Sequence, residues 1–242
     1  MHSTVISAGT VEKRDQVSEP ALVHELIDPE GRREAERRLA AFACPAMAMY
    51  ASPQHRQMMD GLWAVWERWG PETLGLSILS PGYGLIAATE TIVPYEAAFD
   101  SDPAALELWA ARQAVREKTT ALVRNANLVF YLLGGPALDA LALPLDVPAA
   151  VQQLVLTDAE SAERVAGAPN LHVFVVAKAR AARRWHVKAP LVGGFLFGRM
   201  CEQIVRHGPA VLEWLHNRPQ DLDCLLYKRA RWRPQLGLWS EP

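Results

Sequence analysis

Seven residues, Ser7-Ala8-Gly9-Thr10-Val11-Glu12-Lys13, place two hydroxyls and an amine around one glycine. Such a run can present Ser7, Thr10 and Lys13 to a polar or anionic group, although it also reads as an ordinary exit from a strand. Its offsets fit neither the phosphate-cradling P-loop nor the dinucleotide fingerprint, both of which need further glycines. A second cluster is Ser80-Pro81-Gly82-Tyr83-Gly84-Leu85. Glycines on both sides of Tyr83 would let the backbone approach a ligand and turn the ring outward, while Pro-Gly alone is a common turn. A third is Ile92-Val93-Pro94-Tyr95-Glu96. A carboxylate beside an aromatic ring on a loop can act as a general base or stabilise an oxocarbenium-like sugar cation; as a plain surface glutamate it would do neither. Asp15 is the second carboxylate candidate. Tyr50 precedes Ser52, a helix N-cap whose first turn carries Gln54, His55 and Arg56, an arrangement suited to an anion. His55 reads equally well as a surface residue.

The elements that must position these groups follow from apolar periodicity. Residues 4–8 (TVISA), 74–79 (LGLSIL), 127–133 (NLVFYLL) and 172–177 (HVFVVA) read as strands, with 153–156 a weaker fifth. The run 127–133 is apolar throughout, as expected of a central strand covered on both faces. Residues 29–43 and 53–69 read as helices, the latter with Met58, Leu62, Val65, Trp66 and Trp69 on one stripe. Residues 102–124 and 193–217 read as two long helices, and 181–190 as a longer loop. Strands alternating with helices predict a three-layer α/β/α sandwich around a mostly parallel sheet. Ligands of such sheets bind outside the carboxyl ends of the strands. That rule nominates 7–13, 80–85, 134–139 (from Gly134) and 178–184.

The 242 residues are half apolar, 21% charged and carry a net charge of −2, values of a folded chain. A single domain over 1–242 is expected, with a basic, aromatic arm over 227–242. Cys44, Cys201 and Cys224 lie too far apart for a metal or disulfide pattern, so no metal is expected. The first residues lack the layout of a signal peptide and no apolar run approaches a bilayer span, which predicts a cytoplasmic protein away from membranes. Cations gather in two places: Lys178, Arg180, Arg183, Arg184 and Lys188, then Arg231 beside Trp232 in the arm. With Arg56 they form a candidate nucleic-acid surface, or else a solvated face.

Taken in order, SAGTVEK (7–13), MYASPQHR (49–56), LSPGYGLI (79–86), IVPYE (92–96), YLLGG (131–135) and, more loosely, GGFLFGR (193–199) resemble a bacterial branch of the uracil-DNA-glycosylase-like superfamily. The branch is similar to the domain attached to archaeosine synthase, and its relatives include phage-defence glycosylases. Ala8 stands where that branch often has a cysteine, and the water-activating and His-Pro-Ser loops of true uracil glycosylases have no counterpart. The resemblance implies a uracil-DNA-glycosylase-like fold and a DNA glycosylase that flips a modified base and cleaves its N-glycosidic bond without a cofactor. Glu96, or else Asp15, would stabilise the sugar cation. Tyr83 and Tyr95 would stack on the base, Ser7, Thr10 and Lys13 would contact it or its phosphate, and Tyr50, Ser80 and Gly134 would complete the site. Three alternatives remain open: a deazaguanine-modifying enzyme of tRNA, a glycosidase of free nucleotides, and a non-catalytic nucleic-acid-binding module.

Overall fold

The structure, a computed structural model, describes residues 1–99, 102–176, 183–184, 186–188 and 192–227. Six strands form the central sheet: β1 (Ser3–Ala8), β4 (Gly75–Ser80), β5 (Gly84–Ala87), β8 (Leu128–Leu132), β9 (Gln152–Thr157) and β10 (Leu171–Val175). Two-residue strands β2 (Ala21–Leu22), β3 (Cys44–Pro45), β6 (Thr91–Ile92) and β7 (Tyr95–Glu96) pair off separately as β2 with β7 and β3 with β6. The spatial order of the central sheet is β10-β9-β8-β1-β4-β5. All neighbours are parallel except β5, which folds back antiparallel on β4.

Counting the five parallel strands in chain order, the arrangement is 2-1-3-4-5, one of the two common doubly wound orders. The chain passes from β1 to β4 on one side, then returns to β8 on the other. A crevice must open between the carboxyl ends of β1 and β8, because the connections leaving them run in opposite directions.

Alternation along the strands builds two cores, as side chains point to opposite faces with period two. Val5, Phe130, Leu154 and Leu156 face helices α4 (Pro53–Trp69), α9 (Val192–His207), α10 (Ala210–Asn217) and α11 (Leu222–Tyr227). Ile6, Val129, Tyr131 and Val155 face α5 (Pro103–Arg112), α6 (Val115–Val123) and α7 (Gly135–Leu141). The expected α/β architecture with helices on both faces is present.

Two expected long helices are each divided. Residues 102–124 break into α5 and α6 at Ala114, whose φ of 49° lies in the left-handed region. The break lets both segments pack beside α7, and nothing in the local residue types announces it. Residues 193–217 break at Gly208-Pro209, where Gly208 has φ 83° and Pro209 lacks the N–H a continuing helix needs. Helix α2 (Pro29–Arg38) likewise stops short of residue 43 and gives way to a 3₁₀ turn at Ala40–Phe42. Two segments expected as loops are regular: Gly84 and Leu85 open β5, and α7 starts immediately after Gly134. The single-domain reading rests on sequence alone, and of the expected arm 227–242 only Tyr227 is described, ending α11.

Among the described residues, no helix is long and apolar enough to cross a membrane. Nor does any group of three His, Cys, Asp or Glu side chains gather as a metal site would require.

Candidate functional site

The β1/β8 crevice holds a pocket of about 230 Å³. Its floor comes from strand ends: Ser7 and Ala8 of β1, Leu132 through Gly134 at the end of β8, Leu156, Thr157 and Asp158 at the end of β9, and Val176 after β10. Its wall comes from Gln54, His55 and Met58 in the first turns of α4 and from Gly193 and Gly194 in α9. Thr10 closes one side. Ser7 points to this wall because it shares a strand face with Val5, two residues earlier. Thr157 Oγ1 donates to the Leu133 carbonyl at 3.1 Å and so ties the ends of β9 and β8 together.

Close helix packing brings the wall into place. A Cβ on Gly61 of α4 would lie 2.9 Å from Gly198 Cα of α9, and a Cβ on Gly194 would collide with the Gln54 carbonyl. Only glycines let the two helices approach this closely, which sets their amino-terminal turns side by side over the strand ends.

Two polar atoms in the pocket are buried with no hydrogen-bond partner among the described residues: Ser7 Oγ and His55 Nδ1. The His55 tautomer follows from its other nitrogen. Nε2 lies 2.9 Å from the Met47 carbonyl, which can only accept, so Nε2 carries the proton and Nδ1 offers a lone pair. Burial lowers the His55 pKa below 6.5, partly offset by that hydrogen bond, and keeps the ring neutral at physiological pH. Asp158 adds a carboxylate, one oxygen of which accepts the Ser161 N–H at 2.9 Å and caps helix α8 (Ala159–Ala162). An uncompensated buried acceptor and hydroxyl are costly, and the pocket that holds both is the candidate site.

A second polar cluster lies across β1, at the end of β4. Tyr95 OH is 2.9 Å from both Tyr50 OH and Ser80 Oγ, and Ser80 Oγ accepts the Tyr83 N–H at 3.1 Å. Tyr83 OH accepts the Val93 N–H at 3.2 Å, and its ring meets that of Tyr95 edge to face. Burial pushes the pKa values of Tyr83 and Tyr95 up to about 12 and that of Tyr50 well above 10. All three side chains are 2% exposed. The glycines are explained by this packing: a Cβ on Gly9 would sit 2.8 Å from the Tyr50 ring, and one on Gly82 would sit 2.9 Å from that of Tyr95.

The structure therefore gathers the candidate residues into separate groups. Ser7, Thr10 and Gly134 line the pocket. Tyr50, Ser80, Tyr83 and Tyr95 form the buried cluster, which corrects the expectation of outward rings ready to stack on a base: each is packed against its neighbours. Lys13 reaches over this cluster, 4.2 Å from the Tyr95 ring centre. Glu96 is exposed on β7 and Asp15 pairs with Arg14 at 2.8 Å; neither lines the pocket. The expectation that Ser7, Tyr83, Tyr95 and Glu96 share one pocket is thus corrected. Of the cations, Arg56, Arg183, Arg184 and Lys188 are exposed. Lys178, Arg180, Arg231 and Trp232 lie outside the described residues.

Sequence reasoning offered His55 either within an anion-binding helix start or as a surface residue; the structure buries it at 4% exposure, which corrects the surface reading, and Asp158 was missed, though both left a signal. His55 stands three residues before Met58, on the apolar stripe of α4, so its burial was readable. Asp158 directly follows β9, where the strand-end rule applied to the weakest strand would have named it. Compared with known protein families the chain matches none, and no curated protein matches it.

Proposed function

We propose that the β1/β8 pocket is the active site of a hydrolase that breaks the N-glycosidic bond of a modified nucleobase in DNA. In this reading Asp158 takes the role first expected of Glu96, and the fold is uracil-DNA-glycosylase-like. The observation that carries it is the pair of unpartnered buried atoms, Ser7 Oγ and His55 Nδ1, in a small pocket that also holds a carboxylate.

The chemistry uses each group once. The glycosidic bond breaks with its electron pair leaving on the base, while the Asp158 carboxylate faces the cationic sugar. Ser7 donates a hydrogen bond to the departing base. A water oxygen bonds to the anomeric carbon, and its proton passes to His55 Nδ1, which returns it through solvent to the base. His55 fits because its depressed pKa keeps the lone pair free at neutral pH.

Chain connectivity supports a polymer substrate. Val176 and Gly193 both line the pocket, so the basic segment between them begins and ends at the pocket wall. The exposed cations Arg183, Arg184 and Lys188 lie between those two residues in the chain and can hold phosphates while one base is flipped, positioning the strand without reading it. The resemblance to phage-defence glycosylases favours a modified phage base as substrate.

The test is incubation with unmodified and phage-modified DNA, followed by alkali treatment to reveal abasic sites. Cleavage at modified bases, lost in Asp158→Asn, is expected. Asn preserves the helix cap, so loss of activity reports the charge. Release from free nucleosides but not from DNA would overturn the polymer reading, and no release from either would overturn the reaction.

A further inference from the structure

A second cavity, of about 350 Å³, opens where Pro81 leaves β4, and it shares no lining residue with the β1/β8 pocket. Val23 and Ile27 of helix α1 (Val23–Ile27) line it together with Phe99 and with Leu106, Trp109 and Arg112 of α5. The Phe99 and Trp109 rings meet edge to face, 5.4 Å between centres. All the lining side chains are apolar except two, and the polar groups of both, the Trp109 indole and the Arg112 guanidinium, can only donate. The indole Nε1 is buried with no acceptor among the described residues. Arg112 is exposed and makes no hydrogen bond or ion pair among them. Asp28, which shares a neighbouring hollow with Arg112, instead caps α2 by accepting the Gly31 N–H at 2.7 Å.

We propose that this cavity binds a small aromatic carboxylate, its ring against Phe99, Leu106 and Trp109 and its carboxylate on Arg112. The volume is at the small end of ligand sites and holds one ring with a short acid chain. Lining side chains that only donate call for a head group that only accepts. An ionised carboxylate has that character, and an alcohol, amine or amide does not. Its two oxygens match the guanidinium fork, and one of them can supply the acceptor that the indole lacks. Trp109 and Arg112 stand three residues apart on α5, which makes them neighbours on one helix face. A cation in the last turn of α5 also suits the helix dipole, but that role leaves the Trp109 N–H unmet. Nothing in this site depends on the glycosidase reading.

The experiment titrates the full chain with phenylpropionate and, separately, with phenylpropanol, by calorimetry and by proton–nitrogen NMR of the indole groups. The sequence has eight tryptophans, and the Trp109 signal is the one missing from Trp109→Phe. The acid is expected to bind and to shift that signal, with the alcohol at least ~10-fold weaker, the scale of a hydrogen bond to a charged group. Arg112→Gln, a change at an exposed residue, should bring the acid down to the level of the alcohol. Equal binding of acid and alcohol would overturn the carboxylate assignment. No binding of the acid, an unmoved Trp109 signal, or undiminished affinity in Arg112→Gln would overturn the site. Base release enters none of these measurements, and the Asp158→Asn assay judges it separately.

Discussion

Two polar clusters flank the end of β1, and they differ in how their hydrogen bonds are completed. On the β4 side, Tyr50, Tyr95, Ser80 and Tyr83 satisfy one another and lie buried in the core. On the β8 side, Ser7 Oγ and His55 Nδ1 are buried but have no partner among the described residues. The first cluster carries more hydroxyls and rings, and it is the one that draws attention in the sequence. The second leaves its hydrogen-bonding capacity unused among the described residues. Chemical richness marks a candidate in sequence, whereas incompleteness marks it in three dimensions.

The comparison breaks most visibly in activity. His55→Gln should lower base release by ~10²-fold or more, the loss expected when a general base is removed. Tyr95→Phe should leave base release within a few-fold of the parent. If the two variants behave alike in abasic-site assays, the division between clusters is wrong.

Stability should follow. Gly194→Ala drives a methyl group into the Gln54 carbonyl and should cost ~1–3 kcal/mol in denaturant unfolding, as overpacking does. Tyr95→Phe removes the hydroxyl that bridges Tyr50 and Ser80 and should cost ~1–2 kcal/mol. Ser7→Ala removes a hydroxyl without a partner, so its unfolding midpoint should hold or rise while base release falls. A large loss of stability in Ser7→Ala would mean that this hydroxyl is satisfied within the protein.

Much of the fold was legible in the sequence. Residues 127–133, apolar throughout, gave a central strand, and the Met58, Leu62, Val65 stripe gave α4. The switch-point rule then placed Ser7, Thr10 and Gly134 at the pocket. Three things were not legible, for physical reasons. Ala114 is an ordinary helix former that stands in the left-handed region, with φ 49°. Tyr83 is flanked by glycines that serve inward packing, since the Cβ that Gly82 lacks would strike Leu26 and Tyr95. The two-residue pairing of β2 with β7 is too short for any periodicity, yet it sets Glu96 on the surface.

The remaining effects are those of pH. His55 has its pKa lowered on folding, so as pH falls below about 6.5 the unfolded chain takes the proton first and the native state loses stability until the folded pKa is passed. His55→Gln should flatten that decline in unfolding midpoints measured between about pH 7.5 and 5.5. Lys13 acts in another window. With a folded pKa of about 8 against 10.5, its contribution rises with pH across that interval, and Lys13→Met should remove the rise.

The most direct test of the central claim pairs two carboxylates in one assay. Asp158→Asn and Glu96→Gln are compared for release of the modified base from phage DNA at equal protein and salt. The account predicts a fall of ~10²-fold or more for Asp158→Asn, the scale of lost electrostatic stabilisation, and activity near the parent level for Glu96→Gln. Full activity in Asp158→Asn together with loss in Glu96→Gln would contradict it and move the site away from the β1/β8 pocket.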